Sequence, residues 1–192
     1  MDRSPAVRDG SAGWSGGRGP ASCDTGAVTD QFPDRSMAFR EKLEWMVESQ
    51  GWAVVPVPAV LDADPPSPGY TYTVGLESTF GFPEVLVFGL KPADARGLLG
   101  MVVDLLRDGV EVPVGSLFTG LLDNELRAAL LPVDVEAWSE LFAGGEEWYG
   151  TADFRVVQLA YPDPNGWMPW ESGFDQHRLR SQPVIGSLAG VG

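Results

Sequence analysis

The chain is poor in the side chains that most often carry chemistry, with one cysteine and one histidine in 192 residues. Cys23 has no partner for an intramolecular disulfide, and its Gly/Ser/Asp-rich neighbours offer it no electropositive pocket. With His177 as the single imidazole, no donor set for a structural zinc ion is left, so no metal is expected. Basic residues are scarce too. Thirteen Lys and Arg face 27 Asp and Glu, a net charge of −14, which repels nucleic-acid backbones and anionic membranes. No run approaches the roughly 18 apolar residues of a spanning helix, and the N-terminus lacks the apolar core of a secretory signal. The expected location is the cytoplasm. Catalytic signatures are missing as well: no G-x-S-x-G elbow, P-loop, G-x-G-x-x-G between strand and helix, or H-E-x-x-H.

What is present suits one ordinary domain. Hydrophobic residues make up 44% of the chain, enough for a core without staples. Residues 1–36 are rich in Gly, Ser, Pro, Asp and Arg and hold few large apolar groups beyond Trp14 and Phe32. They are expected to form a disordered tail. Met37 opens the first amphipathic segment, so translation is expected to be able to start there. The tail holds four basic and five acidic residues, which leaves 9 and 22 in residues 37–192, the single domain. The acidity therefore belongs to the domain, which carries −13.

Phe39, Leu43, Met46 and Val47 recur at helical spacing, and Gly51 stands where a left-handed cap is wanted. Trp52–Val57, Tyr70–Leu76 and Glu84–Leu90 read as strands, with a Pro/Asp/Ser loop over 62–69. Pro92 at the first helical position and Ala95, Leu98, Leu99, Val102, Leu105 and Leu106 on one face predict a helix that Gly109 stops. Short strands are expected over 111–119 and 126–133. Asp134 should cap a short helix that Gly144 and Gly145 close, and Phe154–Tyr161 is the last strand. Strands outnumber helices and do not alternate with them. The predicted class is α+β, a mainly antiparallel sheet with helices packed on one side.

Four clusters are candidates for function, each with a plain structural reading beside it. In Tyr70–Leu76, Tyr70, Tyr72 and Gly75 could admit a ligand, or simply be good strand formers ending at a bulge. Glu84, at the start of an apolar strand, is a candidate acid or base if buried, or an exposed carboxylate bonding local backbone. In Tyr161–Glu171, the residues Asp163, Trp167 and Trp170 form either a ready binding wall, with Glu171 beside it, or an Ω-like loop that plugs the core. His177, the single histidine, is a candidate acid or base that Asp175 or Glu171 could orient, although a lone histidine is more often structural or solvated.

The segments Tyr72–Leu76, Gly81–Leu90, Tyr161–Asp163 and Pro169–Glu171, with an opening Gly51–Val54 and a closing Gln182–Pro183, resemble the bacterial family DUF4262. The likeness covers most of Trp52–Pro183 and leaves the tail uncovered. It implies a small cytosolic bacterial domain and carries over no catalytic residue.

Two functions follow as expectations. The first is a non-catalytic binding module of the regulatory or immunity kind, whose acidic surface meets a basic protein partner. The second is a small-molecule or flavin-binding enzyme, in one version a split barrel, with a pocket between the Tyr70–Gly75 strand and the Trp167–Glu171 loop. Glu84, Glu171 or His177 would serve it as acid or base. Sequence names no cofactor.

Overall fold

The computed structural model describes residues 36–188. The expected tail, Ser36 apart, lies outside them. Helix α1 (Phe39–Gln50) ends where Gly51, at φ +82°, turns the chain and its amide bonds the carbonyl of Val47. Strand β1 (Ala53–Val57) pairs antiparallel with β2 (Tyr70–Val74), and β2 with β3 (Glu84–Phe88). A five-residue helix, α2 (Leu76–Phe80), begins at Leu76, which the sequence reading placed in the strand, and occupies the connection between β2 and β3. Helix α3 (Pro92–Arg107) begins at the expected proline.

Of the strand expected over 111–119, only β4 (Leu117–Phe118) forms, helped by a parallel bridge from Val114 to Leu130. Strand β5 (Ala128–Val133) and strand β6 (Val156–Ala160) complete a six-stranded sheet in the order β1-β2-β3-β6-β5-β4. All pairings are antiparallel except β3 with β6. The sheet is open, with β1 and β4 at its edges, so the split-barrel version of the flavin reading does not describe this architecture.

The α+β class stands, but the helices are divided between the two faces instead of sharing one. Alternation along the strands explains why. Val85, Val87, Leu130, Val157 and Leu159 point to the face that α3 covers with Ala95, Leu99, Val102 and Val103. Ala53, Val55, Tyr70, Tyr72, Leu86 and Phe88 point the other way, toward Leu43 of α1 and toward Phe142 and Trp148. Both sides of β2, β3 and β6 are therefore buried. Each large apolar side chain so enclosed contributes roughly 1.5–3 kcal/mol.

A second correction concerns Gly144 and Gly145. They open helix α4 (Ala143–Tyr149) rather than closing the helix before it, of which only a turn capped by Asp134 and a short 3-10 segment, Ser139–Leu141, are present. Packing decides this. A Cβ on Gly144 would sit 2.7 Å from the Tyr72 hydroxyl, and one on Gly145 would sit 2.9 Å from the Phe154 ring. The glycines are needed for close approach to the sheet, and helix α4 tolerates them there. A four-residue helix, α5 (Gln176–Leu179), follows the aromatic loop. No helix among the described residues is long and apolar enough to cross a membrane.

Candidate functional site

Because β3 and β6 run parallel, with Glu84 beside Val156, and β5 ends beside them at Val133, three chain segments meet at one end of the sheet. These are Gly81–Pro83 entering β3, Thr151–Arg155 entering β6, and Asp134–Glu136 leaving β5. Together they line a solvent-open cleft of about 1130 Å³. Its floor is apolar, with Phe82, Pro83, Val133, Phe154 and Val156 among the lining residues. Asp134, Glu136 and Asp153 stand exposed around it, and none is paired with a cation among the described residues. The one cation in the lining, Arg155, is already held. Its Nε donates to Glu77 Oε1 at 2.8 Å and its other arm to the Gly81 carbonyl at 2.8 Å.

One layer behind the wall lies a polar cluster. The Phe154 ring stacks on Tyr149 at 5.1 Å between centroids, and the Tyr149 hydroxyl donates to Glu84 Oε1 while accepting from the Gly75 amide at 3.2 Å. The Thr73 hydroxyl donates to Glu84 Oε2 at 2.6 Å, and the Glu77 amide donates to Oε1 at 3.1 Å. Glu84 is fully buried, and no cation among the described residues lies beside it. Burial pushes its carboxyl above the usual range, against hydrogen bonds from Thr73, Tyr149 and the Glu77 and Gly75 amides that favour the charged form. Burial and the charge of Glu84 push the Tyr149 phenol far up in turn.

A general base must come within hydrogen-bond reach of a substrate proton. Glu84 meets protein donors at both oxygens and lines no part of the cleft. Its role in this conformation is to tie β2, α2, β3 and α4 together behind the cleft wall.

The aromatic loop is built around two other carboxylates. Asp163 accepts from the amides of Asn165 (2.9 Å), Trp167 (3.0 Å) and Asp175 (3.1 Å). Glu171 takes both arms of Arg127, at 2.7 and 2.8 Å, and the Met168 amide at 2.8 Å. Met168 and Trp170 pack on Ala129, Leu131 and Ala160, while Trp167 stays 45% exposed. This is the loop that plugs the core. Tyr70 and Tyr72 are core residues as well: the Tyr70 hydroxyl donates to the Leu141 carbonyl, and burial pushes the Tyr72 phenol up to about 12.

Neither the cleft nor the pocket beside His177 lies between the Tyr70–Gly75 strand and the Trp167–Glu171 loop, where a pocket was expected. Strands β3 and β6 stand between β2 and β5, which carries the Arg127 end and the surface under Met168. The Glu84 cleft is lined by neither stretch. Nor are the three proposed acid/base residues together. Glu84 is behind the cleft, Glu171 is on Arg127, and His177 lines a separate pocket at the other end of β2 with Gly69 and Ser181.

The model of the DUF4262 family, a domain of unknown function, matches residues 46–175. The chain belongs to the DUF4262 family. No curated protein and no solved structure matches it. The DUF4262 segment contains the whole cleft lining, the Glu84 cluster, Asp163 and Glu171, and it stops just before His177. Sequence reasoning found Glu84 and the Gly81–Pro83 turn but missed Tyr149, Phe154, Asp153 and Arg155. Tyr149 is 65 positions from Glu84, and no local spacing announces such a pair.

Proposed function

We propose that this DUF4262 domain is a non-catalytic binding module of the regulatory or immunity kind, which takes an extended basic segment of a partner protein into the cleft at the Glu84 end of the sheet. The observation that carries the reading is the combination of apolar lining with three exposed carboxylates, Asp134, Glu136 and Asp153, that have no cation partner among the described residues. Lysine and arginine match that combination, since their aliphatic stems lie along apolar surface while their charged heads reach outward. The excess of 22 acidic over 9 basic residues in 37–192 adds a long-range attraction that speeds encounter with such a partner. The sealed state of Glu84 supports binding over acid/base catalysis.

Fluorescence polarisation with labelled peptides alternating Lys or Arg with Val tests this. Saturable binding that weakens as salt is raised, and that falls by about tenfold in Asp134→Lys/Asp153→Lys, is the expected result. Equal binding of Glu-Val peptides, or no binding of basic peptides at low salt, would overturn the reading. A pull-down from the native host, eluted by salt, would then identify the partner.

A further inference from the structure

The end of the sheet opposite the Glu84 cleft carries a second cavity of different character. It measures about 560 Å³, within the range of small-molecule sites, and lies between the 59–69 loop and the α5–Ser181 segment. One wall is apolar, from Ala59, Leu61, Pro66 and Pro68. The other presents His177, Arg180 and Ser181, and Ser67 also lines the pocket. No carboxylate among the described residues lines it, in a chain that carries about twice as many acidic as basic residues. Asp62 and Asp64 belong to the same loop but lie outside the lining.

Both side chains are uncommitted. Neither the guanidinium of Arg180 nor the imidazole of His177 has a hydrogen bond or ion pair among the described residues, whereas neighbouring Arg178 leans on Asp175. In an acidic protein an exposed arginine has many possible carboxylate partners, so one left facing a half-apolar cavity is available to an anion from solution.

Both walls are braced before any ligand arrives. Val60 and Ser67 exchange a pair of backbone hydrogen bonds at 2.9 and 3.0 Å, which fixes the loop. On the facing side, the Ser181 carbonyl lies only 2.8 Å from where a Cβ on Gly89 would be, and Gly89 sits at φ +75°. Gln182 accepts from the Tyr161 amide at 3.1 Å, and Phe174, in the segment that leads to α5, is buried. A preformed pocket loses little entropy on binding.

We propose that this pocket binds a small amphiphilic anion: a carboxylate or phosphate monoester held by Arg180 and His177, with a short aliphatic or aromatic body laid against Leu61, Pro66 and Pro68. The site is independent of the cleft, so either can fail without the other.

The test uses the full-length chain and NMR titrations with hexanoate, phenyl phosphate, inorganic phosphate and hexylammonium. Saturable shifts at Ala59, Ser67, His177 and Ser181 are expected with hexanoate, phenyl phosphate or both, and which of them binds names the head group. Inorganic phosphate and hexylammonium should bind at least about tenfold more weakly, and Arg180→Glu should weaken the amphiphiles by about tenfold or more. Arg180 is exposed, so an unchanged melting temperature will show that the variant is folded. No saturable shift with either amphiphile, hexylammonium binding as tightly, inorganic phosphate binding as tightly, or an unaffected Arg180→Glu would each overturn the proposal.

Discussion

Glu84 behind the cleft and the carboxylates of the aromatic loop, Asp163 and Glu171, are all ringed by hydrogen-bond donors, yet their acidities move in opposite directions. Glu84 is fully buried and has only neutral donors, two hydroxyls and backbone amides, so burial prevails and its carboxyl is raised. Arg127 holds Glu171 below its usual range, with the Met168 amide assisting. Burial pushes Asp163 up, but the amides of Trp167, Asp175 and Asn165 and the charge of Arg178 outweigh it and bring it down. The lesson is that hydrogen-bond satisfaction alone does not set the charge of a carboxyl. A cation or a nest of amides makes charge favourable, while a sealed site without one makes it costly.

Truncation should separate the two regions most strongly. Glu84→Ala strands the Thr73 and Tyr149 hydroxyls and the Glu77 amide in a dry interior and leaves a cavity, at a cost of about 3–5 kcal/mol. Glu171→Ala leaves Arg127 37% exposed and free to turn to water, so the cost is about 1–2 kcal/mol. Urea unfolding of both variants measures the difference, and equal losses would erase the distinction drawn between the two regions.

Gly89 ties the second pocket to the sheet. Gly89→Ala places a methyl group 2.8 Å from the Ser181 carbonyl at a positive φ, so about 1–3 kcal/mol of stability should be lost. The same change should loosen the α5 wall and weaken hexanoate or phenyl phosphate. Retained affinity in a destabilised Gly89→Ala protein would show that the wall does not need that seat.

The pH dependence should run in opposite senses at the two regions. Glu84 has a folded-state pKa above its unfolded one, so its contribution is fully present below the unfolded value and is lost as pH rises through the folded value. Glu171 and Asp163 are lowered, so theirs is present above the unfolded value and is lost as pH falls through the folded one. Glu84→Gln, whose amide never ionises, should therefore gain on the wild type as pH rises above the unfolded carboxyl value. Glu171→Gln should instead lose ground on the wild type as pH rises through the acid range below about pH 5, and run parallel to it above. Denaturant midpoints at several pH values read both slopes, and parallel slopes would contradict the assigned directions.

Much of the frame was legible because it is local. The helical period of 39–47 and 95–106, the proline at 92 and the apolar runs at 53–57, 84–88 and 156–160 each specify an element within one window. What escaped depends on distant contacts. Gly144 and Gly145 look like a helix stop until the Tyr72 hydroxyl and the Phe154 ring are placed against them. Val112 and Val114 look like strand residues, but Val114 makes only an isolated bridge to Leu130, and the ladder on β5 is confined to Leu117 and Phe118. The site was half visible for the same reason. Glu84 announces itself as an acid in an apolar run, whereas Tyr149, which completes its cluster, and the cleft formed by three separated turns follow only from the parallel register of β3 and β6.

The smallest expected effect bears on the aromatic loop as a binding wall. Trp167 is the one aromatic of that loop that stands out from the core, and its indole packs against Gly173, where no Cβ would fit. It lines neither the Glu84 cleft nor the Gly69 pocket. Trp167→Ala removes a ring that is 45% exposed, so the stability loss should stay within about 1 kcal/mol. Affinity for basic peptides and for amphiphilic anions should stay within about twofold of wild type, because neither ligand reaches the ring. A larger loss of peptide affinity with the fold intact would move the docking surface from the β3–β6 end of the sheet to the loop over β5, and the Asp134→Lys/Asp153→Lys variant would then bind as well as wild type.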